Sequence, residues 1–239
     1  AAALGSAAFL RPHDMGGEHS KYFKQLAYAL DQRQFARPTL IIDKTLLRKN
    51  IHLLTEHIQT HYHYRIVAKS LPSIPLLKYI SKESGSHRFM VFDERFLVQL
   101  SREIPNADIL LGKPLPVNAA QFFYQNAQTS TFEASKQLQW LIDTPAKLRQ
   151  YQALAKSTKQ IMRINIELDI GLHRGGVKDN ETLIDMLKLI HSEPLLSFSG
   201  FMGYEPHVVK LPGNPASHLD DALSIYQQRV SAAESFLGR

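Results

Sequence analysis

Strand-like and helix-like patterns alternate along almost the whole of this 239-residue chain. Seven short apolar runs are typical of strands, and each is followed by apolar residues at helical spacing. Regular alternation of this kind favours a parallel α/β sheet with helices packed against it. The strand candidates are residues 39–43, 64–70, 88–92, 108–112, 138–143, 160–167 and 196–204.

This order of elements predicts a parallel TIM-type (β/α) barrel, with a doubly wound open sheet as the alternative. A closed barrel of this type needs eight strands, which is more than the candidates supply. Either the sheet is open, or the remaining strands of a barrel lie beyond Arg239.

Composition excludes several classes of function. Hydrophobic residues make up 44% of the chain and charged residues 21%, as in a globular domain with one large core. The net charge of +6 is spread along the chain, without the dense basic runs that mark a nucleic-acid-binding face. There are no cysteines, so disulfides, thiolate nucleophiles and sulfur-ligated metals are removed from consideration.

Residues 1–10 are small and apolar. This stretch is too short to span a bilayer and lacks the charged start of a secretory signal. It is either the end of a clipped signal or anchor segment or a leader without structure of its own. A cytoplasmic location is favoured, and the compartment stays open.

A lysine ends the second strand candidate. Lys69 follows the run Tyr-Arg-Ile-Val-Ala, and a helix is predicted directly after it, with Ser73 as N-cap and Pro75 in the first turn. In α/β proteins such strand-to-helix junctions face the ligand crevice. Two interpretations follow. The amine is a nucleophile or Schiff-base former, or it only extends from a strand end to water.

The sixth strand candidate has one polar face. Period-2 alternation places four polar side chains on one side: Arg163, Asn165, Glu167 and Asp169. Polar side chains inside a sheet must be satisfied by partners or by a ligand. The glycines that follow would allow a tight turn that returns Arg174 over the barrel mouth, to bind a carboxylate or a phenolate. A salt-bridged strand edge is the alternative.

Other polar residues also fall at predicted strand ends, where both candidate folds bind ligands. For some of them helix capping is the favoured interpretation: Asp43, Asp93, and Asp143 with Thr144. For Lys113 two interpretations are equally favoured: its side chain lines the site, or it points to solvent.

Three ordered strings carry a resemblance to a known family: RIVAKSLPSIPLLKYI, INIELDIGLHRGGV and GFMGYEPHV. They resemble the fold-type III pyridoxal-phosphate (PLP) enzymes that share the alanine racemase N-terminal domain, and are most similar to the D-threonine aldolase and D-serine dehydratase branch. The similarity runs from about residue 37 to about residue 210. It implies a leader and helix over residues 1–35, and over residues 36–239 a TIM-type barrel that lacks its last strands and the C-terminal β domain.

The resemblance also implies roles for individual residues. Lys69 matches the lysine that forms the Schiff base with PLP, and Arg174 matches an arginine on the cofactor and substrate side of the site. Tyr204 aligns with the residue that packs against the pyridine ring, which is a histidine in alanine racemase. His207 belongs to the branch's Tyr-Glu-x-His pattern and is implied in proton transfer or substrate contact. Glu167 stands where many alanine racemases carry a carbamylated lysine.

The activity implied by the resemblance is that of a PLP-dependent lyase, an aldolase or dehydratase that acts on a D-β-hydroxy amino acid through Lys69. An amino-acid racemase and a non-catalytic PLP-binding protein of vitamin B6 balance are the alternatives.

A divalent metal is implied for the longer protein, with ligands outside this chain. The implied partner is a small amino-acid substrate, with no nucleic acid and no membrane at the barrel, and a homodimer stays open for the full-length form. In the family the run at residues 39–43 belongs with the second domain, which leaves six barrel strands.

Overall fold

Six parallel strands form one sheet, and a helix follows each of them. The computed structural model describes residues 16–58, 60–127 and 131–238. The strands are β1 (Ile66–Val67), β2 (Arg88–Val91), β3 (Asp108–Leu111), β4 (Leu138–Ile142), β5 (Met162–Glu167) and β6 (Leu196–Met202). The helices are α1 (Lys21–Arg33), α2 (Lys44–His57), α3 (Ile74–Ser84), α4 (Glu94–Glu103), α5 (Val117–Asn126), α6 (Ala134–Gln137), α7 (Pro145–Thr158), α8 (Asn180–Ser192) and α9 (Pro215–Leu237).

The strands are hydrogen-bonded in the order in which they occur in the sequence, from β1 to β6, and every pair is parallel. A doubly wound sheet would reverse its strand order at a switch point, whereas a TIM-type barrel keeps sequence order throughout. The predicted barrel architecture is therefore confirmed. Among the described residues, β1 and β6 form the two edges of the sheet.

The first strand candidate is wrong. Residues 39–43 contain no strand, and Leu40, Ile41 and Ile42 are exposed. Asp43 accepts hydrogen bonds from the backbone of Thr45 at 2.8 Å and Leu46 at 3.0 Å, so it caps α2 as predicted. An apolar run becomes a strand only where a neighbour pairs with it, and no described residues pair with this run.

Two compact units divide the chain, one up to Leu47 and one from Arg48 onward. The predicted boundary between residues 35 and 36 stays a prediction. Across the described ranges, no helix combines the length and the hydrophobicity that are needed to cross a membrane.

Two predicted helix starts have different outcomes. Ser73 occupies the N-cap position of α3 and Pro75 lies in its first turn, but the Ser73 side chain accepts no hydrogen bond from the helix. Asp93 caps α4 as predicted, because its carboxylate accepts from two backbone N–H groups of the first turn. A carboxylate offers more acceptor sites than a hydroxyl, so it caps over a wider range of geometries.

The core lies between the sheet and its helices. Alternate strand residues are fully buried there: Phe89, Val91, Ile109, Leu111, Ile142, Ile164 and Ile166. Each fully buried side chain of this kind contributes about 1.5–3 kcal/mol. The polar tips of two buried rings are satisfied, since Trp140 Nε1 donates to Tyr124 Oη at 3.0 Å and Tyr151 Oη donates to the Leu115 carbonyl at 3.1 Å.

The opposite face of β5 is polar, as its sequence predicts, whereas the neighbouring strands place both polar and apolar residues on that face. Gln139 Nε2 donates to Asp108 Oδ1 at 2.9 Å, and Asn165 Nδ2 reaches Gln139 Oε1 at 3.5 Å. Arg65 Nη1 also donates to Asp108 Oδ1, at 3.0 Å. Asp108 therefore links polar side chains on both sides of it near the amino ends of the strands.

The buried face predicts a large effect for one core substitution. Ile164→Ala should lower the free energy of unfolding by about 2–5 kcal/mol, because it leaves a cavity between β5 and the helices. Val209→Ala, at a position that is 75% exposed, should change it by less than about 0.5 kcal/mol. Urea unfolding followed by the fluorescence of Trp140, the sole tryptophan, measures both. Equal effects would contradict this account of the core.

Candidate active site

The predicted site residues follow the carboxyl ends of three strands. Lys69 comes two residues after β1, Glu167 ends β5, and Tyr204 comes two residues after β6. Because all the strands are parallel, these ends lie at the same edge of the sheet. This edge is the mouth of the barrel.

Lys69 is exposed and lies against an aromatic ring. The Ala68 N–H donates to the Met90 carbonyl at 2.9 Å, so pairing between β1 and β2 continues to the residue before the lysine. Lys69 Nζ is 5.3 Å from the centroid of the Phe92 ring, within cation–π range. A Cβ atom on Gly112 would lie 2.2 Å from that ring. The glycine therefore leaves the space that the ring occupies beneath the amine.

Glu167, Arg174 and Tyr204 contact one another in a second group, the Arg174 cluster. Arg174 Nη2 lies 3.5 Å from Glu167 Oε1, and its guanidinium carbon lies 4.8 Å from the centroid of the Tyr204 ring. Glu167 is buried, whereas Tyr204 is 40% exposed. The guanidinium thus bridges a buried carboxylate and an aromatic ring at the mouth.

Burial raises the pKa of Glu167 above its usual value. The Arg174 guanidinium opposes this effect, and the Asp143 carboxylate adds to it, so the net shift of the pKa is upward. Arg174 therefore offsets part of the cost of burying this carboxylate. The same ion pair holds the guanidinium beside Glu167.

A tight loop carries Arg174 back over the end of β5, as predicted. The Val177 N–H donates to the Glu167 carbonyl at 2.8 Å, and the Asp169 N–H donates to the Val177 carbonyl at 3.0 Å. Gly176 has φ +95°, and a Cβ atom there would lie 2.6 Å from the Asp169 nitrogen. Only glycine fits this close approach of two backbone segments.

His207 borders the same loop. A Cβ atom on Gly171, which has φ +114°, would lie 2.9 Å from His207 Nε2, so the imidazole packs directly on the glycine. His207 Nδ1 is buried and has no hydrogen-bond partner within the described ranges. Buried ring nitrogens normally have a partner, so this unpaired atom is an exception to the usual pattern.

Asp143 is a mouth residue that the sequence assigns to capping. The side chain of Thr144, not of Asp143, accepts the backbone N–H of Lys147, at 3.2 Å. Asp143 Oδ1 instead lies 3.0 Å from Lys147 Nζ, and its charge contributes to the raised pKa of Glu167. Its place at the end of β4, next to β5, is the signal that could have identified it.

The predicted residues thus form two groups rather than one. Glu167, Arg174 and Tyr204 contact one another and His207 borders their loop, but Lys69 lies on the opposite edge strand beside Phe92. Phe92 was not predicted to be a site residue, although it directly follows β2, the strand that pairs with β1. The described residues contain no cluster of three His, Cys, Asp or Glu side chains that could hold a metal ion.

The raised pKa of Glu167 predicts a pH effect on stability. A carboxyl group whose pKa rises on folding favours the folded state while it is protonated, and this contribution is lost as pH rises above the usual value of 4.5 and through the raised pKa. The free energy of unfolding of the wild type should therefore fall relative to that of Glu167→Gln as the pH rises above 4.5.

Urea unfolding across this pH range measures the difference, and Glu56→Gln, at an exposed position in α2, controls for the loss of one negative charge. A free energy of unfolding that rises with pH in the wild type relative to Glu167→Gln would contradict the upward shift of the Glu167 pKa.

The fold of this chain is similar to that of several solved enzymes. An alanine racemase from Bacillus anthracis, solved with bound L-Ala-P, matches with 18% identity and a TM-score of 0.67 over 84% of this chain and 50% of that chain. D-threo-3-hydroxyaspartate dehydratase from Delftia sp. HT23 matches with 16% identity and a TM-score of 0.71 over 84% and 52%. A histidine racemase from Leuconostoc mesenteroides subsp. sake NBRC 102480 matches with 16% identity and a TM-score of 0.61 over 77% and 46%.

At these identities the likenesses show the fold alone. The chain spans about half the length of the solved proteins that it matches. None of the curated proteins matches it. The family described as alanine racemase, N-terminal domain, matches residues 42–234, which is most of the chain. The chain therefore belongs to the alanine racemase N-terminal domain family, a fold family that binds pyridoxal phosphate.

Proposed function

We propose that this protein is a PLP-dependent lyase, an aldolase or dehydratase, that acts on a D-β-hydroxy amino acid. The observation that carries the proposal is the exposed amine of Lys69 at the carboxyl end of the first barrel strand, in a family that binds PLP. The Arg174 cluster at the same edge of the sheet supplies a cation and an aromatic ring. These are groups that an anionic, aromatic cofactor and a carboxylate substrate need.

The residues around Lys69 fit PLP. The amine contacts the Phe92 ring, and no carboxylate in the described part of the chain forms an ion pair with it. Val67, two residues before Lys69 at the end of β1, is 51% exposed and adds apolar surface. An accessible amine next to apolar and aromatic surface suits an aldehyde carried on a flat pyridine ring.

PLP supplies an electron sink for the bond that breaks next to the substrate amine. The protein's own residues bind and orient. In the proposal, the Lys69 amine would hold the cofactor at its aldehyde group. Arg174 would bind a carboxylate or the cofactor phenolate with two N–H donors. The exposed ring of Tyr204 would offer a surface for the pyridine ring.

Two side chains, one in the Arg174 cluster and one beside it, support the assignment as a lyase. The Tyr204 hydroxyl and the His207 imidazole follow the same strand, β6, and His207 borders the loop that carries Arg174. An aldolase must take a proton from a β-hydroxyl group, and a dehydratase must give one to it. A phenol and an imidazole at one side of the mouth can serve this step, and the dehydratase among the solved relatives is named for a D-β-hydroxy amino acid.

Product analysis separates the lyase from its alternatives. The PLP-loaded protein, in the longest form that can be prepared, is incubated with D-threonine, D-serine, D-threo-3-hydroxyaspartate and D-alanine. We expect an aldehyde, or a keto acid with ammonia, from at least one β-hydroxy substrate, and no inversion of D-alanine. Inversion of D-alanine without cleavage would make the protein a racemase. Bound PLP without any turnover would favour a cofactor-binding regulator.

The role of Lys69 is tested by removing its amine. Lys69→Ala should abolish covalent binding of PLP while the far-ultraviolet circular dichroism stays that of the wild type, because the side chain is exposed and supports no core contact. Absorbance of the cofactor that stays with the protein through gel filtration measures binding. Lys113→Ala is the matched control, since this exposed lysine follows the end of β3. Equal retention of PLP in Lys69→Ala and wild type would remove the proposed role.

A further inference from the structure

Asp169 is a buried carboxylate whose hydrogen bonds all go to the loop before Arg174. Its side chain is only 2% exposed and lies directly beyond the end of β5. Asp169 Oδ1 accepts the backbone N–H of Gly171 at 3.2 Å and that of His173 at 3.0 Å. Asp169 Oδ2 lies 2.9 Å from His173 Nδ1. One carboxylate therefore holds both the backbone and the imidazole of His173.

His173 has a backbone conformation that few residues adopt. Its φ is +55°, in the left-handed region, where asparagine, aspartate and histidine are tolerated and β-branched residues are not. Its side chain is 76% exposed, so packing does not account for the conformation. The contacts with Asp169 do. Because the backbone of His173 sets where the next residue points, the conformation determines the direction of Arg174.

The far end of the loop is fixed independently. Gly176 lies directly on the backbone of β5, and Val177 exchanges backbone hydrogen bonds with Glu167 and Asp169. Arg174 thus lies between two fixed points of the loop, His173 and Gly176, and contacts Glu167 and the Tyr204 ring. If the contacts between Asp169 and His173 are lost, the far end of the loop stays in place but the guanidinium loses its direction.

We propose that Asp169 and His173 form a clamp that positions Arg174 against Glu167 and Tyr204. Both are positioning residues, since they act through the arginine. The clamp is a property of the chain itself, whereas its effect on cofactor affinity rests on the proposed function.

The ionisation of Asp169 agrees with this role. Burial raises the pKa of the carboxyl group, but the hydrogen bonds from the His173 side chain and backbone and from Gly171 lower the pKa by more, so it lies below its usual value. The charged form, which accepts all three contacts, is the one present at neutral pH.

The clamp is tested first without any cofactor. Phenylglyoxal modifies accessible guanidinium groups, and mass spectrometry of the peptides gives the rate at Arg174. Asp169→Asn and His173→Val should each raise this rate about fivefold, as expected when a hydrogen-bonded position is lost. His173→Asn should stay within about twofold of wild type, because asparagine tolerates positive φ and can donate to Asp169. Arg149, exposed on α7, should react equally in all proteins.

The same modification rates can contradict the proposed clamp. An unchanged Arg174 rate in Asp169→Asn or in His173→Val, with circular dichroism of the folded chain, would overturn it. Equal, raised modification rates of Arg174 in His173→Asn and His173→Val would also overturn it, because the backbone conformation at position 173 would then be irrelevant. If Asp169→Asn does not fold, the two His173 variants give the answer, since both keep Asp169.

A second measurement connects the clamp to the cofactor. Asp169→Asn should weaken PLP binding about fivefold in the wild-type background and should have no further effect in an Arg174→Ala background, because Asp169 acts through that arginine. Equal weakening in both backgrounds would show a role that does not pass through Arg174 and would overturn the proposal. If the wild type does not bind PLP, the proposed function fails, and the modification rates still test the clamp.

Discussion

Parallel pairing in sequence order is the constraint on which the rest of the structure depends. It sends the carboxyl end of every strand to one edge of the sheet, whichever helix follows. It also buries alternate residues of each strand beneath the helices and directs the others to the opposite face. Polar residues that are dispersed over more than a hundred positions of the chain therefore share one mouth. No local feature of the sequence would bring Lys69 and Tyr204 to the same edge.

Within that mouth, the buried carboxylate of Glu167 organises one side. Burial disfavours its charged form, and the Arg174 guanidinium is the strongest of the groups that oppose this effect. The same contact holds the guanidinium beneath the Tyr204 ring.

Features with a strong local pattern were predictable, and features that depend on distant partners were not. The polar face of β5, the glycine-rich return of the loop and the caps at Asp43 and Asp93 all follow from residues within a few positions of one another. The run at residues 39–43 has a strand pattern but no pairing partner in the described structure, so its strand prediction was wrong. The contact of the Phe92 ring with Gly112 and Lys69 joins three strand ends, and it becomes visible only when the register of the sheet is known. Asp143 and Thr144 are both suitable N-cap residues for α7, and the sequence does not show which side chain accepts the hydrogen bond from the first turn of the helix.

The central claim is that the amine at the end of β1 is the reactive group of a PLP site, and reductive trapping tests it most directly. The wild-type chain is mixed with PLP at a low molar excess, reduced with borohydride and digested, and the modified peptides are identified by mass spectrometry. The account predicts one dominant adduct, on Lys69. Adducts distributed over exposed lysines such as Lys113 and Lys210, with Lys69 labelled no more than they are, would contradict it.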